Sequence, residues 1–450
     1  MKNKKLLVLA LIVIALLIVG ITVKKKQKVS LVETVKLKKL ISNVSNDKVT
    51  KIEFKAETKK LTIEKKDNEW TLPEVHNAKA EGDKVEALIK TLVNLEGELR
   101  SDSKEVLGDY GLTKGKALEI AIYTQGNTPV VLLAGKEAGY KTYFVRLDNS
   151  NDVYVINENL PDKVGLPANE SAGEPDYKEF VNLALFADSS VDNTAVIKLL
   201  YKDAIKLTLL KEKAAANEPE VWKVENVPFK LKENGARELI RKLKELNADE
   251  IVSENNDAGQ KLFGFDKAPQ IAISYKTADN KEVQLYAVVN EKDKETYALT
   301  ISGKSNIYTI KRSALNRMFF NNSAVFDLTL FKISESDMTE ISVSGANSFT
   351  IKNDSTKNKW EVVSGENLKE QKIKNIVLNL ATLSAYGFTT KKEPLNTIQY
   401  TVVIKLKDGS EKRLNISPRN QEMDNKYVAE ISGVAVNILL QDNTVENLFH

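Results

Sequence analysis

One pattern of residues occurs three times along this chain, and it constrains the fold more than any other feature. Each copy contains one of the three tryptophans of the sequence, Trp70, Trp222 and Trp360. Two runs of strand-forming residues precede each tryptophan, and an amphipathic segment begins 13 to 15 residues after it. The spacing of its apolar residues predicts a helix that lies on a sheet. These residues are Val85, Leu88, Ile89, Leu92 and Leu95, then Ala236, Leu239, Ile240, Leu243 and Leu246, then Ile373, Ile376, Val377, Leu380 and Leu383.

The order of elements after the predicted helix is repeated as well. A strand of alternating polarity comes first, and three further strand-like runs and a short closing helix follow it. The apolar residues of the alternating strand are Leu118, Ile120 and Ile122, then Ile271, Ile273 and Tyr275, then Val402, Ile404 and Leu406. Gly111 and Gly264 stand before this strand in the first two copies, whereas the third copy has Pro394-Leu395 instead. The third copy has therefore diverged at this turn.

These elements predict an α+β protein with three modules in series. Each module is expected to be a mostly antiparallel sheet of about six or seven short strands with one main covering helix. We call the modules repeat 1 (48–167), repeat 2 (190–323) and repeat 3 (337–450), with linkers at 168–189 and 324–336.

An apolar segment precedes the repeats. Leu6–Val23 has eighteen residues and no charge, and a helix of that length spans roughly 27 Å, close to the hydrocarbon thickness of a bilayer. The alternative is a cleaved secretory signal, whose apolar region is usually about 7–15 residues and ends in a small-x-small site. Here the run continues directly into Lys24, and Ile18 would place a bulky residue at position −3 of the nearest candidate site. We therefore predict an uncleaved transmembrane anchor at 1–28.

A short juxtamembrane segment, expected to be helical, is predicted at 29–47. Lysines flank both ends of the anchor, so the positive-inside rule does not fix its orientation. A five-residue tail before the apolar run and a long body after it are typical of a signal anchor with an exported body. We therefore expect a single-pass protein of the bacterial cytoplasmic (inner) membrane with a periplasmic, extracytoplasmic body, and the absence of cysteine is compatible with this.

Charge and composition exclude several classes of function. The net charge is +4, but residues 1–30 hold seven lysines and no acidic residue, so the remainder is slightly acidic. Such a body lacks the basic surface that nucleic-acid binding requires. The chain has no cysteine and two histidines, His76 and His450. This excludes thiol chemistry and disulfides and makes catalytic triads and multi-histidine metal sites improbable. We predict no catalytic, cofactor-binding or metal-binding residues, and we expect His76 to be a surface residue.

Four short motifs resemble functional sites without meeting their requirements. Residues 135–142 lack the glycine cradle of a phosphate-binding loop and are predicted to form a turn between strands. The Ser-x-x-Lys pairs at 45–48 and 101–104 have no accompanying active-site motifs. Residues 148–152 have the composition of a calcium loop, but the required glycine and glutamate are missing at the sixth and twelfth positions, which predicts another turn.

Two interpretations of the tryptophans are open. They occupy equivalent strand positions in all three repeats, which favours core residues over platforms for sugar stacking. Paired carboxylates of a glycoside hydrolase are a further alternative, but no Asp or Glu pair stands out in the sequence.

This arrangement resembles a bacterial family of single-anchor envelope proteins whose repeated domain has no assigned function. The resemblance rests on the Leu6–Val23 anchor and on the repeated units with the signatures TIEKKDNEWTL and EVWKVEN. Members of the family look like partners of ABC-type export systems related to gliding-motility transporters. The resemblance implies a non-enzymatic accessory role and carries no catalytic residues over to this chain.

Three hypotheses of function follow. The first is an anchored extracytoplasmic accessory subunit that docks on the permease and ATPase subunits of an ABC transporter. The second is an anchored envelope receptor for a glycan or peptide, which binds through exposed aromatic residues or open sheet edges. The third is an envelope hydrolase built on carboxylates, which would require two converging acidic side chains in one specialised repeat.

Overall fold

The computed structural model describes residues 36–449 except 127, 167–172, 187–188, 213–220, 226, 346, 355 and 357–358. None of the helices among these residues has both the length and the apolar character needed to cross a bilayer. The predicted anchor Leu6–Val23 lies outside the described residues. Within the described part of the predicted juxtamembrane segment, Lys38–Lys39 form a strand and Asn46–Lys48 a 3-10 helix, so the expected helix is wrong there.

The first sheet has ten strands in the order β1-β6-β10-β9-β8-β7-β2-β3-β4-β5. One α-helix, α1 (Gly82–Val93), accompanies it. The strands are β1 (Lys38–Lys39), β2 (Val49–Ala56), β3 (Lys59–Lys66), β4 (Glu69–Leu72), β5 (Ala78–Lys79), β6 (Glu96–Ser101), β7 (Leu118–Thr124), β8 (Val130–Gly139), β9 (Thr142–Leu147) and β10 (Val153–Ile156).

The second large sheet has eight strands in the order β13-β12-β11-β16-β17-β18-β19-β15, and β14 pairs with β20 in a separate two-stranded sheet. The helices are α2 (Gly235–Lys244), α3 (Asp257–Phe263) and α4 (Arg312–Phe320). The strands are β11 (Thr194–Tyr201), β12 (Ile205–Lys211), β13 (Trp222–Glu225), β14 (Lys230–Leu231), β15 (Glu250–Glu254), β16 (Ile271–Thr277), β17 (Glu282–Val289), β18 (Thr296–Ile301), β19 (Asn306–Lys311) and β20 (Phe326–Asp327).

The third large sheet also has eight strands, in the order β23-β22-β21-β25-β26-β27-β28-β24. The helices are α5 (Glu370–Ala381) and α6 (Asp442–Phe449). The strands are β21 (Met338–Ser344), β22 (Phe349–Asp354), β23 (Lys359–Gly365), β24 (Gly387–Phe388), β25 (Tyr400–Leu406), β26 (Glu411–Asn420), β27 (Lys426–Ile431) and β28 (Ile438–Leu440).

All three large sheets share one order of eight strands that starts with the tryptophan strand. It is β4-β3-β2-β7-β8-β9-β10-β6 in the first sheet, β13-β12-β11-β16-β17-β18-β19-β15 in the second and β23-β22-β21-β25-β26-β27-β28-β24 in the third. The first sheet has one further strand beyond each end of this order, β5 beside β4 and β1 beside β6. The alternation of apolar residues places one face of each sheet in the core, because successive side chains of a strand point to opposite faces. In β16, for example, Ile271, Ile273 and Tyr275 are buried and the residues between them are half-buried. The repetition predicted from the sequence is therefore present in the strand order.

The predicted fold class is wrong in its details. The large sheets have eight or ten strands rather than six or seven, and four sheets are present. The expectation of one covering helix in each module is also wrong, since the described residues form one α-helix with the first sheet, three with the second and two with the third. The short connection Asn256–Gly264 forms a helix that was not predicted, because it has its own stabilising contacts, whereas Asp442–Phe449 is the short closing helix expected at the end of repeat 3. The Asn256 side chain, for instance, accepts a hydrogen bond from the Gly259 N–H and begins α3.

The chain forms two compact units. Of the described residues, one unit contains those up to Leu72 and those of Ala80–Phe180, and the other contains Pro73–Lys79 and those from Val181 onward. Repeats 2 and 3 therefore lie in the same unit. The predicted residue boundaries of the three modules stay a prediction.

Candidate functional site

The loop that resembles a calcium site is occupied by a guanidinium group. The Arg146 side chain is buried, and its Nη1 donates hydrogen bonds to the backbone carbonyls of Leu147, Asp148 and Ser150 at 3.0, 3.1 and 3.0 Å. Its Nε donates to the Leu112 carbonyl at 3.0 Å. The loop between β9 and β10 is thus organised by a cation of the protein itself, which agrees with the predicted turn.

The other weak motifs have local structural roles. Residues 135–139 belong to β8 and the hairpin to β9 turns at Tyr140 and Lys141, so the turn predicted at 135–142 is present only at these two residues. The Ser103 side chain accepts a hydrogen bond from the Glu105 N–H and caps a 3-10 helix. His76 is exposed, as predicted. His450 lies outside the described residues. Among the residues that the structure describes, no group of three or more acidic or histidine side chains is arranged to hold a metal ion.

The three tryptophans differ in burial. Trp70 is 5% exposed, which confirms the core prediction in repeat 1, and its Nε1–H has no acceptor among the described residues. A cavity of about 540 Å³ lies beside it. Trp222 and Trp360 are half-buried, so the core prediction is wrong for them. Both lie on terminal strands of their sheets, and among the described residues one side of each strand has no neighbouring strand.

A cleft of about 500 Å³ lies in the unit that contains repeats 2 and 3. We call it the repeat-3 cleft, since all of its lining residues except Ala204 come from repeat 3. Its volume falls within the range of about 300–1,000 Å³ that is usual for ligand sites. It is lined by Ala204, Thr389, Lys391, Glu393, Pro394, Leu395, Asn396, Thr397, Ser417, Pro418, Arg419, Asn420, Gln421, Met423, Val428 and Asn437.

The loop 389–399 forms one side of this cleft and is held by a buried asparagine. The Asn437 side chain pairs with the backbone of Glu393, because its Oδ1 accepts from the Glu393 N–H at 2.5 Å and its Nδ2 donates to the Glu393 carbonyl at 2.9 Å. The Thr389 N–H donates to the Asn437 carbonyl at 2.9 Å. Both Thr389 and Asn437 are 2% exposed. The start of the loop is therefore fixed by hydrogen bonds to Asn437, the residue before β28.

Two further attachments hold the same loop. The Leu395 N–H donates to Glu430 Oε1 at 3.2 Å. On the side of repeat 2, the Thr390 N–H donates to the Ala204 carbonyl at 2.8 Å, and the Thr390 hydroxyl accepts from the Lys206 N–H at 2.7 Å. An irregular loop with this many attachments is preorganised, which lowers the entropic cost of binding a ligand.

The opposite side of the cleft is formed by a bulge in β26. The pairing of β26 with β27 shifts register between Ile416 and Arg419, so Ser417 and Pro418 leave the regular ladder. The Ser417 hydroxyl donates to the Pro418 carbonyl at 2.8 Å. The residues of this bulged end of β26, 417–420, line the cleft.

The charged residues of the cleft are neutralised within the protein. Lys391 Nζ lies 2.5 Å from Glu393 Oε1, and this hydrogen bond raises the pKa of Lys391. Arg419 lies 3.3 Å from Asp442 and 3.8 Å from Glu446. The cleft therefore offers hydrogen-bonding groups without a strong excess charge.

Sequence reasoning did not identify this cleft. The one available signal was the replacement of the glycine turn by Pro394-Leu395 in the third copy. In repeats 1 and 2 the chain turns at Gly111 and Gly264, which have left-handed φ angles of 69° and 81°. Repeat 3 joins the equivalent strands through the loop 389–399 instead, which is shorter than the connections 102–117 and 255–270 of repeats 1 and 2. This loop forms one wall of the cleft.

Comparison with known proteins agrees with the repeated architecture. A family model described as a domain of unknown function (DUF4340) matches two overlapping segments, residues 70–236 and 222–399. Both matches begin at a tryptophan strand, and together they cover more than half of the chain. No curated protein and no solved structure gave a match. The resemblance to a family with a repeated domain of unknown function is thus confirmed, and the chain belongs to the DUF4340 family.

Proposed function

We propose that this protein is a non-enzymatic, membrane-anchored accessory subunit of an ABC-type transport system, with its repeats outside the cytoplasm. The apolar segment Leu6–Val23 and the family resemblance support the anchor and the transporter. The observation that carries the docking role is that the tryptophan strands of repeats 2 and 3, β13 and β23, are terminal strands of their sheets. A terminal strand presents backbone N–H and carbonyl groups that an extended segment of a partner can pair with.

The equivalent strand of repeat 1, β4, supports the proposal that these edges pair with an extended segment. There, the Trp70 carbonyl accepts a hydrogen bond from the Ala80 N–H at 2.8 Å, so the chain itself supplies a partner beside β4. In β23, Trp360 and Val362 are half-buried and Val363 is 53% exposed. These apolar side chains would gain burial when a partner strand covers the edge, and we infer that the partner is an extended segment of a transporter subunit.

Co-purification from gently solubilised membranes tests the proposal. The tagged full-length chain is expected to recover an ABC ATPase and a permease in a fixed ratio. Val363→Lys places a charge at the edge of β23 and is expected to reduce this recovery severalfold. Leu378→Lys is the matched control, since Leu378 is an exposed apolar residue (40%) on helix α5 of the same repeat. Recovery of the protein without transporter subunits would contradict the proposal.

The alternative function is an anchored envelope receptor for a glycan or peptide. The half-buried Trp222 and Trp360 favour it, because part of each ring is available for stacking. A receptor of this kind would show a change in tryptophan fluorescence when a ligand is added. Trp222→Phe and Trp360→Phe would separate the contributions of the two rings.

A further inference from the structure

The repeat-3 cleft has rim groups that the protein does not use itself. The side chains of Asn396, Thr397 and Gln421 form no hydrogen bond with any other described residue, and all three residues are exposed. Asn420, by contrast, uses its Oδ1 to accept a hydrogen bond from the Glu422 N–H at 2.9 Å. The free amide and hydroxyl groups of the rim can both donate and accept hydrogen bonds.

The backbone beside these side chains is similarly available. The Leu395 N–H is bound to Glu430 and the Gln399 N–H donates to the Ile416 carbonyl at 2.7 Å. Between these two fixed points, the backbone of Asn396 and Thr397 makes no hydrogen bond within the described part of the chain. A short stretch of exposed backbone is thus held between two hydrogen-bonded residues, next to amide side chains.

Part of the lining is apolar. Pro394, Leu395, Pro418, Met423 and Val428 contribute apolar surface, and Val428 is 6% exposed. Aliphatic surface of this kind accommodates aliphatic side chains, and the adaptable Met423 side chain suits ligands of varied shape. Sugars, by comparison, usually stack on aromatic rings, and the lining residues of the cleft include none.

From these observations we propose that the repeat-3 cleft binds a short, extended, uncharged segment of polypeptide. The amide and hydroxyl groups of the rim and the backbone at Asn396 and Thr397 pair with the main chain of the ligand. The aliphatic surface receives its apolar side chains. Since Lys391 and Arg419 are already paired with carboxylates, a charged peptide gains no new ion pair and loses hydration.

This proposal does not depend on docking to a transporter, because it concerns a different surface from the edge of β23. The test uses the full-length chain in detergent and three sets of short peptides with blocked ends. One set is uncharged and rich in Ser, Thr, Val, Leu and Pro, and the other two carry additional Lys or Glu. Affinity is measured for each set, and a neutral oligosaccharide, maltohexaose, is measured in parallel.

We expect the uncharged peptides to bind most tightly. The double variant Asn396→Ala, Gln421→Ala should weaken this binding by about tenfold, as expected for the loss of two neutral hydrogen bonds. The matched control is Asn149→Ala, Gln125→Ala, which removes two exposed amides of repeat 1 that make no side-chain hydrogen bond within the described residues. Because all four residues are exposed, the variants should unfold at the same temperature as the original chain.

Three results would overturn the proposal. The first is the absence of binding by the uncharged peptides, and the second is an equal loss of affinity in both double variants. The third is binding of maltohexaose that only the cleft variant abolishes, which would assign the cleft to a glycan.

Discussion

Gly387 in β24 lies directly against the backbone carbonyl of Phe320 at the end of α4. A β-carbon at position 387 would stand 1.7 Å from that oxygen, so only glycine fits at this contact. The neighbouring backbone is paired as well, since the Asn322 N–H donates to the Tyr386 carbonyl at 3.1 Å. This close approach joins repeat 2 to repeat 3 within one unit.

The first prediction concerns this contact. Gly387→Ala should lower the free energy of unfolding of the unit that contains repeats 2 and 3 by about 2–4 kcal/mol, because backbone atoms must move to admit the methyl group. Thermal or urea unfolding of the full-length chain measures the loss. Gly82→Ala is the control, since a β-carbon there would point into open space. An equal effect of both substitutions would show that the contact with Phe320 is not what requires glycine.

The sequence predicts much of the repetition but not this contact. The apolar faces at Val85–Leu95 and Ile373–Leu383 are visible because helical and strand periodicities are local. Gly387 and Phe320 belong to different repeats, and their contact depends on how two folded sheets meet, which no local pattern encodes. Arg146 was missed for a related reason, since its four carbonyl acceptors come together only after β9 and its neighbouring loops fold.

The candidate cleft could be predicted only in part. The sequence shows that the third copy departs from the other two at Pro394-Leu395. It does not show that Asn437 binds the backbone of Glu393, nor that β26 has a bulge at Ser417. These features involve single side chains at distant positions, and a residue such as asparagine has many equally ordinary roles on a surface.

The second prediction concerns pH. Burial disfavours the ionised form of Glu53, but hydrogen bonds from Tyr123, Lys51 and Lys60 outweigh it and lower the pKa of Glu53 to about 2. Because this pKa is below the ordinary value of 4.5, the carboxylate stabilises the fold fully above pH 4.5, and this contribution disappears as the pH falls toward 2. Its size is on the order of 2 kcal/mol.

Glu53→Gln should therefore remove part of the acid sensitivity of repeat 1. The difference in unfolding free energy between the variant and the original chain is expected to shrink as the pH falls from 4.5 to 2. Urea unfolding at several pH values measures it. Glu98→Gln, which changes an exposed carboxylate on β6, should leave the pH profile unchanged. A constant difference across this range would contradict the low pKa of Glu53.

The third prediction concerns the loop that resembles a calcium site. Arg146→Lys keeps the charge but cannot reproduce the planar set of donors that reaches four backbone carbonyls. The variant should unfold at lower temperature, with a loss of about 2–3 kcal/mol, because buried carbonyls lose their donors. Arg100→Lys, at an exposed position of β6, should have little effect. Stabilisation of the original chain by millimolar calcium chloride would show that the loop binds the ion despite Arg146.

The fourth prediction uses the three tryptophans as reporters of burial. Changing two of them to phenylalanine leaves a chain with a single tryptophan, and this can be done for each of the three. The chain that retains Trp70 should emit at the shortest wavelength and be quenched least by acrylamide, because Trp70 is 5% exposed. The chains that retain Trp222 or Trp360 should be quenched several times more strongly, since both side chains are half-buried on terminal strands.

The same single-tryptophan chains can report binding. If a transporter subunit or a ligand covers β23, quenching of Trp360 should fall on binding while that of Trp70 stays constant. Equal quenching of all three residues would contradict the difference in burial between repeat 1 and the other repeats.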